Sequence, residues 1–307
     1  MIASSIDVLG AGGPAGSATA AADTGRVGQR LRRFAGDRWA LAAVAVLVLL
    51  LLGSLLAPWL LPHGPAEQSS DLLSGPGGHH LLGTDEFGRD LGTRLLVGAK
   101  VTLEIAFGSA AVGALVGVPL GLVAGYLGRV WDVVPMRVLD VVLALPDIVV
   151  ALVVVAALGN SSLNLVMAIG IAGIPVFARL TRASVLTIRD RDFVVASRSM
   201  GASTPDTMLR TVLPNVLGPV IVQFVITAAI AVVVSAGLGF LGLGPPPPAP
   251  SWGGMLQTAK SYLYQNPWYG IFPGLALVVT VGCLDRIGAG LQRAFGTSDG
   301  PAWKRTS

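Results

Sequence analysis

The sequence predicts an all-α membrane protein with six transmembrane helices, and three observations carry that prediction. Of its 307 residues, 53% are hydrophobic and only 12% charged, with a mean hydropathy of +0.71. A soluble domain with so few charges would be poorly covered. Six apolar stretches each approach the ~20 residues that a hydrocarbon core requires. When those stretches are threaded alternately through a bilayer, all but Arg89, Arg94, Lys100 and Lys260 of the 21 lysines and arginines fall on one side. The positive-inside rule makes that side cytoplasmic and places both termini there. The pI of about 9.6 follows from this arginine distribution and calls for lipid, not nucleic acid, as the partner. The single cysteine, Cys283, lies in an apolar run, so no intrachain disulfide forms and the redox compartment stays unread.

Taken in order, residues 1–25 hold Ala, Gly, Ser and Thr with almost no large apolar side chains. With Arg26, Arg30, Arg32, Arg33 and Arg38 they make a disordered cytoplasmic tail over 1–38. Trp39 to Leu61 is the first span, read as an uncleaved anchor. A cleaved signal peptide is the alternative, but the run is too long and its basic flank too far from Met1. Residues 62–100 form a polar extracytoplasmic segment that contains all three histidines. Spans near 101–127, 138–158, 164–185, 216–242 and 272–292 complete a core over 101–296, and 297–307 is a short cytoplasmic tail. Gly108, Gly113, Gly117, Gly121 and Gly125 in the second span suit close helix packing.

The longest charged interruption between apolar blocks is the stretch 189–215. Phe193, Ala196 and Met200 recur at helical spacing, with Arg191, Asp192 and Arg198 on other faces. Gly201 closes that helix, because a residue at positive φ is cheapest without a Cβ. A second helix then opens, with Thr204 as N-cap, Pro205 at the first helical position and Asp206 against the positive end of the dipole. Met208, Leu209 and Val212 give it an apolar stripe, and Pro214 marks its end or a kink. Two short amphipathic helices around a glycine elbow have the form of an element that a partner grips.

On the opposite face, Thr84 or Asp85 can cap a helix that carries Phe87, Leu91 and Leu95 at i, i+4, i+8. That pattern predicts an interfacial amphipathic helix, acting as a structural collar or as a docking surface or gate. Asp85, Arg89 and Asp90 belong to this element. In the 244–271 loop, Pro245 to Pro248 should be stiff and extended, and Trp252, Tyr262, Tyr264 and Trp268 suit a membrane interface. A proline-rich ligand for a cytoplasmic adaptor is the rival reading, and the charge bias rejects it by placing this loop outside.

Among the acids within spans, Asp147 lies about nine residues, ~14 Å, into the third span at the helical rise. An ionisable group at that depth is a pathway or partner-facing residue by default. Asp140 lies one heptad earlier and three residues from Arg137, so a local ion pair is expected there. Asp285 and Arg286 are packing or interface charges, and Glu104 is interfacial. His79 and His80, with His63 nearby, lack the spaced Cys or acidic partners of a metal site. There is no G-x-x-x-x-G-K-[ST], H-E-x-x-H or G-x-S-x-G. The chain is therefore not expected to hydrolyse ATP or to catalyse covalent chemistry.

The run from Val195 through Gly201 to Leu213-Pro214 resembles the cytoplasmic coupling loop of ABC importer permeases. Ala196, Gly201, Leu213 and Pro214 fall at matching positions; Val195 replaces the usual glutamate and Thr211 an aliphatic residue. Leu82-Gly-Thr-Asp85, Gly88-Arg-Asp90, Phe240-Leu-Gly-Leu-Gly244 with the prolines after it, Pro250-Ser-Trp-Gly253 and Phe272-Pro-Gly-Leu-Ala276 are similar, in the same order, to segments of dipeptide/oligopeptide importer permeases of the second, C-type subunit. The resemblance covers about residues 80–296. It implies a type I ABC importer permease fold, a heterodimer with a homologous permease, two ATPase subunits that carry ATP and Mg, and an extracytoplasmic substrate-binding protein. It makes Phe193, Val195, Ala196, Arg198, Met200, Gly201, Leu213 and Pro214 the ATPase-coupling residues, and Asp85, Arg89, Asp90 and Trp252 an outer-face docking or gate set. No cofactor is implied on this chain. Related permeases serve glutathione, nickel or haem. An intramembrane enzyme would need a paired acid or nucleophile, for which Asp147 and Asp285 are the only candidates. A channel or structural subunit would not need a glycine-elbow coupling loop.

Overall fold

The computed structural model describes Gly28 and residues 32–296, so the tails expected over 1–38 and 297–307 fall largely outside the described residues. Within them every regular element is helical. Helix α1, Arg38–Leu60, starts where the Asp37 carboxylate accepts the backbone N–H groups of Trp39 and Ala40, both at 3.2 Å. Those N–H bonds, Ala40 first, and the neighbouring Arg293 guanidinium hold the Asp37 carboxyl below the usual carboxylate range. Helix α2, Leu91–Leu127, runs 37 residues, ~55 Å at the α-helical rise.

The expected interfacial helix capped by Thr84 or Asp85 does not form. The chain makes a turn instead, with Gly88 at φ +72° and an isolated bridge between Thr84 and Asp90. Asp85 spends its Oδ1 on the N–H groups of Phe87 and Arg89 inside that turn. The cap is Asp90, whose Oδ1 accepts from Thr93 N at 2.7 Å, and α2 runs on without interruption into the second span.

The third span is also corrected. It consists of α3, Val130–Leu143, and α4, Asp147–Leu158, which meet at 88°. Pro146 between them has no N–H to give to the helix and disfavours helical geometry at Leu145. Helix α5 covers Ser162–Ile188 and the short α6 covers Asp192–Ser199. Helix α7 covers Thr204–Phe240, with its cap on Ser203, whose hydroxyl faces Asp206 N, rather than on Thr204. Pro214 neither ends nor breaks α7. It sits in the first turn of the regular segment Leu213–Phe240, just past a π-helical stretch over Thr207–Val212, so its missing N–H falls where the bonding pattern is already changing over. Helices α8, Trp252–Ala259, and α9, Trp268–Phe295, complete the chain.

Among the described residues, five helices are long and apolar enough to cross a membrane, and the bent α3–α4 pair makes a sixth crossing if taken as one span. The central core joins Leu47, Ile105, Leu165, Val225, Val232 and Leu284 from α1, α2, α5, α7 and α9. The closest pair is α2 with α5. A Cβ on Gly117 would lie 2.6 Å from the Ile174 carbonyl oxygen, and one on Gly121 would lie 2.3 Å from that of Ala178. The two backbones therefore touch where those glycines sit, as small residues permit between helices in lipid.

Candidate functional site

Two ends of the bundle hold the residues that the sequence singles out. At the arginine-rich end, α6 lies across the tips of α2, α5 and α7. Its one buried apolar side chain is Val194, which packs with Leu122, Val185, Met208, Val212 and Val216. Of the residues read from helical spacing, Phe193 is 42% exposed and Met200 82%, and Val195, singled out by the resemblance, is 47% exposed. Ala196 is exposed as well. The predicted stripe on the following helix splits in the same manner, with Met208 and Val212 inside and Leu209 outside. Leu213 packs partly into the core while Pro214 is exposed. Gly201 has φ +85° with nothing within 4 Å of a Cβ. The N–H of Ala202 reaches the Ser197 carbonyl at 3.2 Å and that of Gly201 the Arg198 carbonyl at 2.9 Å, so the glycine closes α6 in the left-handed conformation its position requires. Arg198, read from spacing as lying on another face, is exposed and donates from Nη2 to the Arg189 carbonyl at 2.9 Å.

At the other end, the segment before α2 is clasped onto α8 and α9. Asp85 is fully buried. Its Oδ2 accepts from Arg89 Nε at 2.6 Å and lies 3.3 Å from Arg94 Nε. Arg89 Nη2 donates to Glu86 Oε1 at 3.0 Å, and Tyr269 donates its hydroxyl to Glu86 Oε2 at 2.7 Å. Arg94 Nη1 donates to the Pro65 carbonyl at 3.0 Å. Asn266 Nδ2 bonds the carbonyls of Ser74 and Thr84, both at 3.1 Å. His80 Nδ1 is 2.9 Å from Asp90 Oδ2, and its ring packs against His63. Trp252 is 1% exposed and donates from Nε1 to the Leu95 carbonyl at 2.8 Å, over the space that Gly98 leaves open.

Asp85, Arg89, Asp90 and Trp252, expected as an outer-face docking or gate set, all turn their side chains inward in this chain. Each carboxylate is occupied by backbone N–H groups or buried cations, and an indole of that size gains more from the apolar interior than from the surface. Tyr264 and Trp268, by contrast, remain exposed. Between the clasp and the proline loop lies a cavity of about 240 Å³ lined by Glu86, Arg89, Arg94, Tyr269, Gln257 and Pro246.

The acids within the bundle also differ from expectation. Asp147 is exposed in the first turn of α4, just past the bend, not deep inside a straight span. It makes no hydrogen bond or ion pair among the described residues. Asp140 pairs with Arg179 of α5 rather than with Arg137. Asp132 accepts from Arg182 Nη2 at 2.6 Å, a pair that spacing along the chain could not suggest because the partners are 50 residues apart.

Among the described residues, a five-helix bundle with one further broken crossing, a buried polar clasp at one end and a short exposed helix at the other has the architecture of a polytopic membrane protein. Residues 117–296 match the family described as binding-protein-dependent transport system inner membrane component, and this chain belongs to that family. Residues 27–76 match the N-terminal transmembrane domain of oligopeptide transport permease C. The chain is 41% identical over 269 residues to the di/tripeptide transport system permease protein DppC of Pseudomonas aeruginosa, covering 85% of this chain and 89% of that one. It is 38% identical to the dipeptide transport system permease protein DppC of Alkalihalophilus pseudofirmus over 84% of this chain and 86% of the relative. It is also 38% identical to the glutathione transport system permease protein GsiD of Escherichia coli O1:K1 / APEC, over 86% and 88%. A chain of the inward-facing MetNI methionine ABC transporter superposes with a TM-score of 0.54 at 21% identity, over 66% of this chain and 97% of that one. The fold is thus that of a type I ABC importer permease, in a multi-pass protein of the inner membrane.

Proposed function

We propose that this chain is the C-type permease subunit of an ATP-driven importer of di- and oligopeptides. The observation that carries the proposal is the exposed apolar face of α6 beside Gly201. A short helix with Phe193, Val195 and Met200 turned out of the bundle is built to lie in a groove of another protein. In this reading the arginine-rich end is cytoplasmic, as the positive-inside rule requires, and α6 docks into one of two ATPase subunits that bind ATP and Mg. A homologous permease forms the other half of the path, and a substrate-binding protein delivers peptide to the clasp end. The chain itself does mechanical work, alternating access without covalent chemistry. Glutathione, a tripeptide, is the second substrate reading, favoured by the GsiD relatives.

The test is reconstitution of the tagged chain with its co-purifying subunits in proteoliposomes. ATP-dependent uptake of a labelled dipeptide, competed by unlabelled dipeptide and not by glutathione, supports the first reading; uptake of labelled glutathione, competed by glutathione and not by dipeptide, supports the second. Activity or conductance from the lone chain would reject both.

Two variants probe the mechanism. Gly201→Val forces a β-branched residue into φ +85° at a cost of roughly 1–3 kcal/mol of backbone strain, with no steric clash to blame. The expected result is a complex that still assembles, but whose hydrolysis is no longer stimulated by substrate and whose uptake falls several-fold. Normal coupling would sink the assignment of Gly201 as the elbow. Because Val195 stands where an acid is usual, docking should also be less sensitive to salt than an ion pair would be, since screening acts on exposed charges. Asp147, unpaired at the bend, is proposed as a hydrated acid of the path. Asp147→Asn should lower uptake with assembly intact, and normal transport by both the Asn and Leu variants would remove it from the path.

A further inference from the structure

We propose that Arg198 is a latch that ties the coupling helix α6 to the paired helices α2 and α5, rather than a contact with the ATPase. The inference rests on the reading of α6 as the coupling element. Three contacts converge. The Arg198 Nη2 donates to the backbone carbonyl of Arg189, the C-cap residue of α5, at 2.9 Å. Its guanidinium carbon stands 5.0 Å from the centroid of the Tyr126 ring, near the end of α2. Arg189 in turn donates from Nη1 to the Gly125 carbonyl of α2 at 3.2 Å. Helix C-termini leave carbonyl groups without intrahelical partners and carry partial negative charge, so two arginines seated on the ends of α2 and α5 are well placed.

The mechanical consequence follows from what α2 and α5 are. Their backbones touch at Gly117 and Gly121, so neither slides past the other without a clash. A force applied to the ends of both therefore moves them together. Helix α6 packs through Val194 on Leu122 of α2, Val185 of α5 and Met208 and Val212 of α7, and Ser197 Oγ lies 3.4 Å from Thr211 Oγ1 of α7; Gly201 joins α6 to α7 through open space. Apolar packing is non-directional and tolerates sliding. The charged, directional links of Arg198 go to α5 and α2. Tyr126 itself is half-buried and belongs to α2, so its substitution leaves the exposed side chains of α6 unchanged.

That placement separates a latch from an ATPase contact. In the assembled permease–ATPase complex, Arg198→Ala and Tyr126→Leu should each speed amide hydrogen exchange over residues 194–199 about two- to five-fold, the size of one exposed cation–π contact. Exchange in the middle of α5 should not change, and ATPase subunits should be retained in full. Substrate-stimulated hydrolysis should fall in both variants. The double variant should be no worse than Arg198→Ala, and Tyr126→Phe, which keeps the aromatic face, should match the wild type. Wild-type exchange in Tyr126→Leu would overturn the latch, as would loss of ATPase subunits in Arg198→Ala but not in Tyr126→Leu. Exchange is read without transport, so an unmodified complex that fails to take up peptide counts against the importer reading and leaves the latch to be decided by the exchange data.

Discussion

Asp85→Ala is expected to destabilise the permease by about 3–5 kcal/mol, the usual cost of breaking a buried ion pair by removing one partner. The carboxylate is fully buried. It accepts two backbone N–H groups, Phe87 and Arg89, each at 2.9 Å, and faces two guanidinium groups. Alanine leaves Arg89 and Arg94 as cations in the interior, with only Glu86 to share between them. The turn over 85–89 also loses the acceptor that shapes it, and the link through Glu86 to Tyr269 loosens. A fall in the thermal unfolding midpoint of the purified chain measures this. Asp85→Asn should fall between wild type and alanine, since an amide oxygen can still accept one of the turn's N–H groups but carries no charge to offset the arginines. An Asp85→Ala midpoint equal to that of wild type would show that the clasp does not hold the helices.

Gly121→Val is the second change with a large expected effect. A Cβ at this position would meet the Ala178 carbonyl oxygen at 2.3 Å and the Thr181 Cβ at 2.8 Å. The obstacle is backbone, so no rotamer change relieves it and α2 must move away from α5. Overpacking costs typically about 1–3 kcal/mol and occasionally more, and here the upper end applies because Gly117 and Gly125 lose their close contacts in the same movement. The expected outcome is poor membrane yield and a lowered unfolding midpoint. Gly282→Ala, where a Cβ meets nothing within 4 Å, is the matched control and should be neutral. A stable Gly121→Val protein would mean that the two helices are not packed backbone to backbone.

The six apolar stretches and the all-helical class were legible in the sequence, because hydropathy and bilayer thickness act over ~20 consecutive residues and need no distant partner. So was the elbow at Gly201, since a positive φ after an amphipathic turn is a local demand that glycine meets. The break in the third span had a local sign, Pro146, but the apolar run continues on both sides of it and hydropathy alone reads one straight helix. Only the tertiary structure decided which way charged and aromatic residues face. Asp85, Arg89, Asp90 and Trp252 read as surface by residue type, yet each finds its partner across a turn or in another helix and is buried. Asp132 with Arg182, Asp140 with Arg179 and Arg198 over Tyr126 join residues far apart along the chain. In a bundle, a polar side chain in a span is stable only where a neighbouring helix offers it a partner or water reaches it. Which helices become neighbours is set by packing, here by the glycine face that draws α2 against α5, and that is a property of two segments together rather than of either one alone.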